Sequence, residues 1–278
     1  MPYDQVSMLA EAAEAEFMYH YETLAPSTTQ AALGISAARI GGGVALSMRH
    51  DATGYWSKAL GFGFAEPITH RLVDTVIDFY RAEDSPGAVI QIAPAVLPAG
   101  WPEMCARHGI RPDSHWVKLV CSIDDFRPGE ESDLRISSVE PEDFSRWSTA
   151  ALRGFGMPEE GLADMLAAGL VNPNFRPFAA WDGDEIVAAA NLFIHGEIAS
   201  LNTAATLPTH RNRGAQSALI AARVHEAAKA GCRWLSAETG RPADGETNQS
   251  LSNLVRAGLR PLYYRQNWIW SPGERTLD

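Results

Sequence analysis

Two stretches of this 278-residue sequence echo each other, and the echo limits the architecture more than any other feature. Glu66-Pro67-Ile68-Thr69-His70-Arg71 precedes one helical pattern, and Leu207-Pro208-Thr209-His210-Arg211 precedes another. Each is followed by a helix, a short strand and a second helix. Those second helices end in Ala106-Arg107-His108-Gly109-Ile110 and in Arg256-Ala257-Gly258-Leu259, and a Trp-bearing strand follows each. A chain that repeats this order is expected to build two α/β units of the same plan.

Local patterns fill in the rest. In the first half, helices are expected over residues 4–24, 71–82 and 102–108, from apolar side chains at helical spacing. Strands are expected at 44–48, 58–64, 89–92 and 115–123, with Gly41-Gly42-Gly43 as a bend. In the second half, a strand begins at Leu134 and Pro141-Glu142-Asp143 opens a helix. Trp181-Asp182-Gly183-Asp184-Glu185 is a hairpin turn between strands 178–181 and 186–193. A strand at 198–206, a helix at 215–229 closed by Gly231, a strand at 233–237, a helix at 249–256 capped by Gly258 and a strand at 264–270 follow. The polar segment between Asp125 and Ser132 is the best linker, so the expected division is 1–125, a linker at 126–132, and 133–278.

Composition narrows the function. Acidic side chains outnumber basic ones 34 to 23, a formal charge of −11, which argues against broad phosphate neutralisation on nucleic acid. No run of apolar residues is long enough for a membrane helix, and the N-terminus lacks a signal-peptide pattern. Cys105, Cys121 and Cys232 are odd in number and widely spaced, which suits a reducing cytoplasm. The histidines show no metal-ligand spacing, so no metal is expected. No nucleophile elbow appears. Trp56, Trp101, Trp181 and Trp268 read as packing residues.

The chemistry lies in residues 206–220. There a strand ends, a turn carrying Arg211, Asn212, Arg213 and Gly214 follows, and a helix begins with Ala215, Gln216 and Ser217. A helix N-terminus presents unpaired N–H groups and partial positive charge. A glycine allows close backbone approach, and arginines add full charge, so the segment suits a pyrophosphate. No Lys-Ser/Thr follows the glycine and no Gly-x-Gly-x-x-Gly follows a strand, which sets aside P-loop and Rossmann sites.

The segment resembles the Arg-x-x-Gly-x-Gly/Ala loop by which the GNAT N-acetyltransferases hold coenzyme A, with Gln216 departing from its last position. Thr247-Asn248-Gln249-Ser250-Leu251 through Ala257-Gly258-Leu259 is similar to that family's second motif. The resemblance covers roughly residues 133–278, and the first half looks like a degenerate copy in which Arg71-Leu72-Val73-Asp74 has no glycine and Asp74 would repel a pyrophosphate. It implies an α/β (α+β) fold of two GNAT-like domains, each a mixed, mostly antiparallel twisted sheet flanked by helices.

By the same resemblance, acetyl-CoA is the co-substrate and an acetyl group passes directly to an amine, small or peptidic, in a ternary complex. Ala205, Thr206, Leu207, Arg211 through Ser217 and Asn248 would hold the cofactor. Glu238, at a strand end, is the first choice of general base, ahead of Glu197; His195 and His210 are candidates by position only. The family's usual tyrosine position is Leu254 here, which leaves Tyr263 and Tyr264 as candidate acids. A non-catalytic acyl-CoA-binding or interaction module is the alternative. The chain is expected to be a monomer or homodimer without membrane or nucleic-acid partners. Residues 211–270 hold nine Lys or Arg against four acids, a basic island where the phosphates would lie.

Overall fold

Residues 5–129 and 131–273 are described in the computed structural model. The first half runs α1 (Gln5–Thr23), α2 (Ser27–Leu33), β1 (Ile35–Ile40), β2 (Gly43–Met48), β3 (Lys58–Leu60), α3 (His70–Ala82), β4 (Ala88–Gln91), α4 (Trp101–His108) and β5 (Arg111–Ser122). The second runs β6 (Arg135–Ser138), α5 (Phe144–Phe155), α6 (Leu162–Gly169), β7 (Phe175–Asp182), β8 (Glu185–His195), β9 (Ile198–Thr206), α7 (Ala215–Lys229), β10 (Trp234–Gly240), α8 (Gln249–Arg256) and β11 (Arg260–Trp270).

Two strand expectations change in length for a visible reason. The strand expected over 58–64 stops at Leu60, because Gly61 and Gly63 adopt φ of +77° and +95°, conformations that leave the pleat. The strand expected from residue 264 begins at Arg260, and Pro261 is tolerated inside it because the ladder shifts register between Pro261 and Tyr263. The elements α2, β1 and α6 were not expected. All three are short, and α2 is closed by Gly34 in the left-handed conformation.

The eleven strands among the described residues join one sheet, in the order β1-β2-β3-β4-β11-β5-β10-β9-β8-β7-β6. Only β3–β4 and β9–β10 are parallel, so the sheet is mixed and mostly antiparallel. The order contains a reciprocal exchange. The last strand of the first half, β5, pairs with β10 of the second, while the last strand of the second half, β11, pairs with β4 of the first. The two exchanged strands pair with each other at the centre.

The exchange reaches the core. Val117, Leu119 and Cys121 of β5 pack under α7 and α8 of the second half, and Trp270 of β11 packs with α3 and α4 of the first. A third cluster, on the face of α1, α5 and α6, combines Phe17, Met18 and Tyr21 with Trp147, Met165 and Phe193. Helix α1 shows why: Ala10, Ala13, Phe17, Met18 and Tyr21 lie on one face and are buried, yet Glu11 and Glu14 are buried with them. Burying acids on an apolar face requires partners across the interface.

Candidate active site

The site starts at the parallel pair β9–β10. The two strands are paired only from Ile198–Leu201 and Trp234–Ala237. Beyond that point β9 stays with β8 as far as Thr206, while β10 stays with β5 as far as Gly240. The result is a wedge with its apex at Leu201 and Ala237. A bulge in β9 produces it: Asn202 opposes Asn191, Ala205 opposes Ala189, and Thr203 takes φ of +46°, a strained value for a β-branched residue.

A buried polar network holds the bulge. Tyr21 of α1 shares a hydrogen bond with Thr203 Oγ1 (3.2 Å), and Asn191 Nδ2 donates to Tyr21 Oη (3.1 Å) and to Asn202 Oδ1 (3.1 Å). Arg223 of α7 donates through Nη1 to the carbonyls of Asn191 (3.0 Å) and Asn202 (3.4 Å). Removing ladder partners leaves carbonyls that must be satisfied some other way, and this arginine does so.

A cavity of about 840 Å³ follows the wedge from the start of α7 to the aromatic side chains near α1. At its first end, Pro208–His210 form one tight turn and Asn212 and Gly214 adopt φ of +64° and +74°. Helix α7 then starts with no side-chain cap, leaving its first N–H groups available. Ala205, Thr206, Arg211, Asn212, Gly214, Ala215, Gln216 and Ser217 all line the cavity, and Arg211 has no ion pair among the described residues. Gln216 donates to Thr206 Oγ1 (2.9 Å), tying the helix start to the end of β9. Gly214 has a second reason to be glycine: a Cβ there would sit 2.7 Å from the carbonyl oxygen of Glu131 in the linker.

Three of the residues expected to hold a cofactor stand elsewhere. Leu207, Arg213 and Asn248 do not line the cavity. Arg213 instead grips Asp133 (2.5 Å) and Asp182 (2.6 Å), which raises its own pKa and lowers theirs through the charge-assisted hydrogen bonds. Asn248 caps α8, accepting from the Leu251 N–H, and donates to Gly240 O (2.7 Å) and Thr239 Oγ1 (3.0 Å). Its neighbours Gln249, Ser250, Asn253 and Arg256 face the cavity.

Glu238 is the first residue of β10 beyond the apex, and it lines the cavity. Around it four elements converge. Lys118 of β5 lies 2.9 Å from Glu238 and also contacts Glu14. Arg265 of β11 bonds Glu238, Glu14 (2.8 Å) and both oxygens of Glu11 (2.7 and 2.5 Å). Burial, reinforced by the nearby charge of Glu14, pushes the Glu238 carboxyl up to about 7 against the opposing pull of Arg265 and Lys118. For Glu14, burial also opposes ionisation, but Arg265 and Lys118 outweigh it and hold the group below the ordinary range. The pair is therefore split into one ionised acid and one poised near neutrality.

The tyrosines expected as acids do not reach the cavity. Tyr263 donates to Glu11 (2.6 Å), and Tyr264 is half-exposed under the Arg241 guanidinium. Glu197 is engaged by Gln5 and Arg233 at the far end of β9, and His195 lies outside the cavity; His210 lines it and contacts Asp182 (3.4 Å). Trp56, read as packing, is both core and cavity wall. Tyr55, Trp56 and Trp116 form the far wall, with Lys58 Nζ 3.7 Å from the Tyr55 ring. Sequence reasoning missed Glu14, Lys118 and Arg223. The acid on the apolar face of α1 was the available signal for the first.

The equivalent place in the first half is closed. There Thr69 caps α3 by accepting from the Leu72 N–H, and the cavity beside it measures only about 20 Å³. Among the described residues, no cluster of His, Cys, Asp and Glu is suited to a metal ion, and no helix is long and apolar enough to cross a membrane.

Residues 142–245 match the model of the Acetyltransferase (GNAT) family. No curated protein matches the sequence. The chain is similar to the solved structure of a GCN5-related N-acetyltransferase from Kribbella flavida, at 17% identity and a TM-score of 0.62, covering 95% of this chain and 96% of that one. It is also similar to a tandem GNAT protein from the clavulanic acid biosynthesis pathway, at 12% identity and a TM-score of 0.60, covering 96% and 93%. At such identities the likeness is one of fold, and it extends through both halves. Residues 142–245 thus match the GNAT acetyltransferase family model, and the α/β fold of both halves is similar to that of a tandem GNAT protein.

Proposed function

We propose that the chain is an acetyl-CoA-dependent N-acyltransferase working by direct transfer, built as residues 1–125, a linker at 126–132 and residues 133–278. The observation that carries this reading is the single cavity that joins an uncapped helix N-terminus to a carboxyl poised near pH 7 across a splayed strand pair. The residues present fit acetyl-CoA. The α7 N–H groups and Arg211 bind its pyrophosphate, and the edge of residues 203–206, with no strand on the wedge side, pairs with its extended arm. When bound, the thioester supplies an activated acetyl group. Backbone N–H groups at the β9 bulge polarise its carbonyl, and Glu238 takes the proton from the attacking amine.

The aromatic wall of Tyr55, Trp56 and Trp116 excludes water at the acceptor end and favours an amine with an apolar body over a sugar. We place the protein in the cytoplasm as a monomer or homodimer. A second reading, a non-catalytic acyl-CoA-binding module, is favoured by one observation: Leu254 occupies the expected acid position and no tyrosine of β11 reaches the cavity.

Thermal unfolding with acetyl-CoA or ATP tests the common part. Ligand at 100 times its dissociation constant adds about 2.7 kcal/mol. A shift with acetyl-CoA and none with ATP is expected; no shift with acetyl-CoA overturns both readings. Thiol release across a panel of arylalkyl, aliphatic, sugar and peptide amines then separates enzyme from binder.

A further inference from the structure

Arg223 is out of place as a merely structural cation. It stands eight residues into α7, about 12 Å from the helix start, and is 1% exposed. Its Nε donates to Leu219 O (3.0 Å) and its Nη1 to the two bulge carbonyls. The Nη2 has no acceptor among the described residues, and the side chain lines the cavity. No carboxylate pairs with Arg223 among the described residues, and burial alone lowers its pKa to about 9. The other buried cations differ. Lys118 and Arg265 are matched by Glu11, Glu14 and Glu238, and Lys58 lies against aromatic faces.

A buried, uncompensated cation is costly unless something negative arrives. Arg223 bonds the Asn202 carbonyl beside the wedge apex, and Ser200, Ile220 and Ser236 line the same cavity there. In the proposed reaction the negative charge that arrives is the departing sulfur.

We infer that Arg223, through its free Nη2 N–H groups, stabilises the leaving thiolate in place of a tyrosine acid. This rests on the acyl-CoA reading above. In balanced form, the amine nitrogen bonds the acyl carbon and the carbon–sulfur bond breaks with its electron pair on sulfur. Glu238 takes the amine proton, and Arg223 holds the sulfur as an anion until that proton is returned to it. Amine and thioester become amide and thiol. A cation in this place assists by electrostatics rather than by giving up a proton, since guanidinium retains its own at neutral pH.

The test uses the full chain with CoA and needs no acceptor. Ultraviolet absorbance of the thiolate, titrated against pH, reports the acidity of the bound thiol. In the native chain it is expected to titrate at least about one pH unit below free CoA, the effect of an opposite charge close by. Arg223→Lys, which keeps the charge, retains the depression. Arg223→Gln, which keeps donors for the carbonyls, returns the thiol to its free value with CoA affinity within about threefold of native. Glu14, Glu238 and Lys118 are unchanged in these variants, so the difference isolates Arg223. A bound thiol that titrates as free in the native chain overturns the assignment without a variant, as does an equal depression in Arg223→Gln. Absence of CoA binding overturns the acyl-CoA reading with it, and a thermal shift distinguishes the two failures.

Discussion

Glu238 owes its proposed role to neighbours distant in sequence. Lys118, Arg265 and Glu14 share its buried site, and the balance among them leaves its carboxyl near 7 while Glu14 stays ionised. Only the ionised form accepts a proton. The rate with a saturating amine is therefore expected to fall about tenfold per pH unit below 7, and Glu238→Gln to lose about 10²–10⁴-fold in turnover while keeping the acetyl-CoA thermal shift. A variant with native turnover would remove Glu238 from the mechanism. Glu22 makes a different point. It is fully buried, neither oxygen has a partner among the described residues, and burial raises its pKa well above the ordinary value. A raised acid pKa stabilises the fold fully below the unfolded value, and this contribution is lost as pH rises toward the folded one. Glu22→Gln should therefore gain on the native chain by about 1.4 kcal/mol per pH unit above the unfolded pKa, until the folded carboxyl itself ionises. Denaturant titration of both chains at increasing pH above the unfolded carboxyl range reads the gain directly, and parallel curves would contradict it.

Among the elements, the β9 bulge and the turn into α7 do most to shape the site. The two arginines of that turn have separate roles. Arg211 lines the cavity without an ion pair among the described residues, and Arg213 clamps Asp133 and Asp182 outside it. Arg211→Ala is expected to weaken acetyl-CoA binding about tenfold, the size of one charge-assisted hydrogen bond. Arg213→Ala should lower the melting temperature and leave affinity alone. Calorimetric titration of both variants checks the division, and the reverse pattern would refute it. Gly214→Ala meets both a positive φ and the Glu131 carbonyl, so it should destabilise by about 1–3 kcal/mol and loosen the turn. Helix α7 and strand β9 were legible because an apolar period ended at glycines able to take positive φ. The bulge was not, since Thr203 carries no local mark of a left-handed conformation.

The whole molecule depends on the exchange of β5 and β11. Residues 133–278 taken alone would leave β10 without β5 and strip Val117 and Leu119 from the core under α7 and α8. That piece is expected to aggregate through its open strand edges, and co-expression with residues 1–129 to restore a soluble, helical circular dichroism spectrum. A soluble, cooperatively melting 133–278 would show the exchange to be dispensable. The echo between halves revealed the repeated order, and the polar linker marked where one half gives way to the next. Neither could reveal that each half closes the other's sheet.

What the sequence determined by itself was local: the period of α7, the strand leading into it, the glycine at its start and the basic island around it. These depend on residues within a few turns of each other, so spacing alone displays them. The tertiary structure decided which of those residues face a ligand, and it assembled the acid–base cluster from positions 11, 14, 118, 238 and 265. Proton affinity is set by burial and by charges within a few ångströms, and neither is a property of neighbours in the chain.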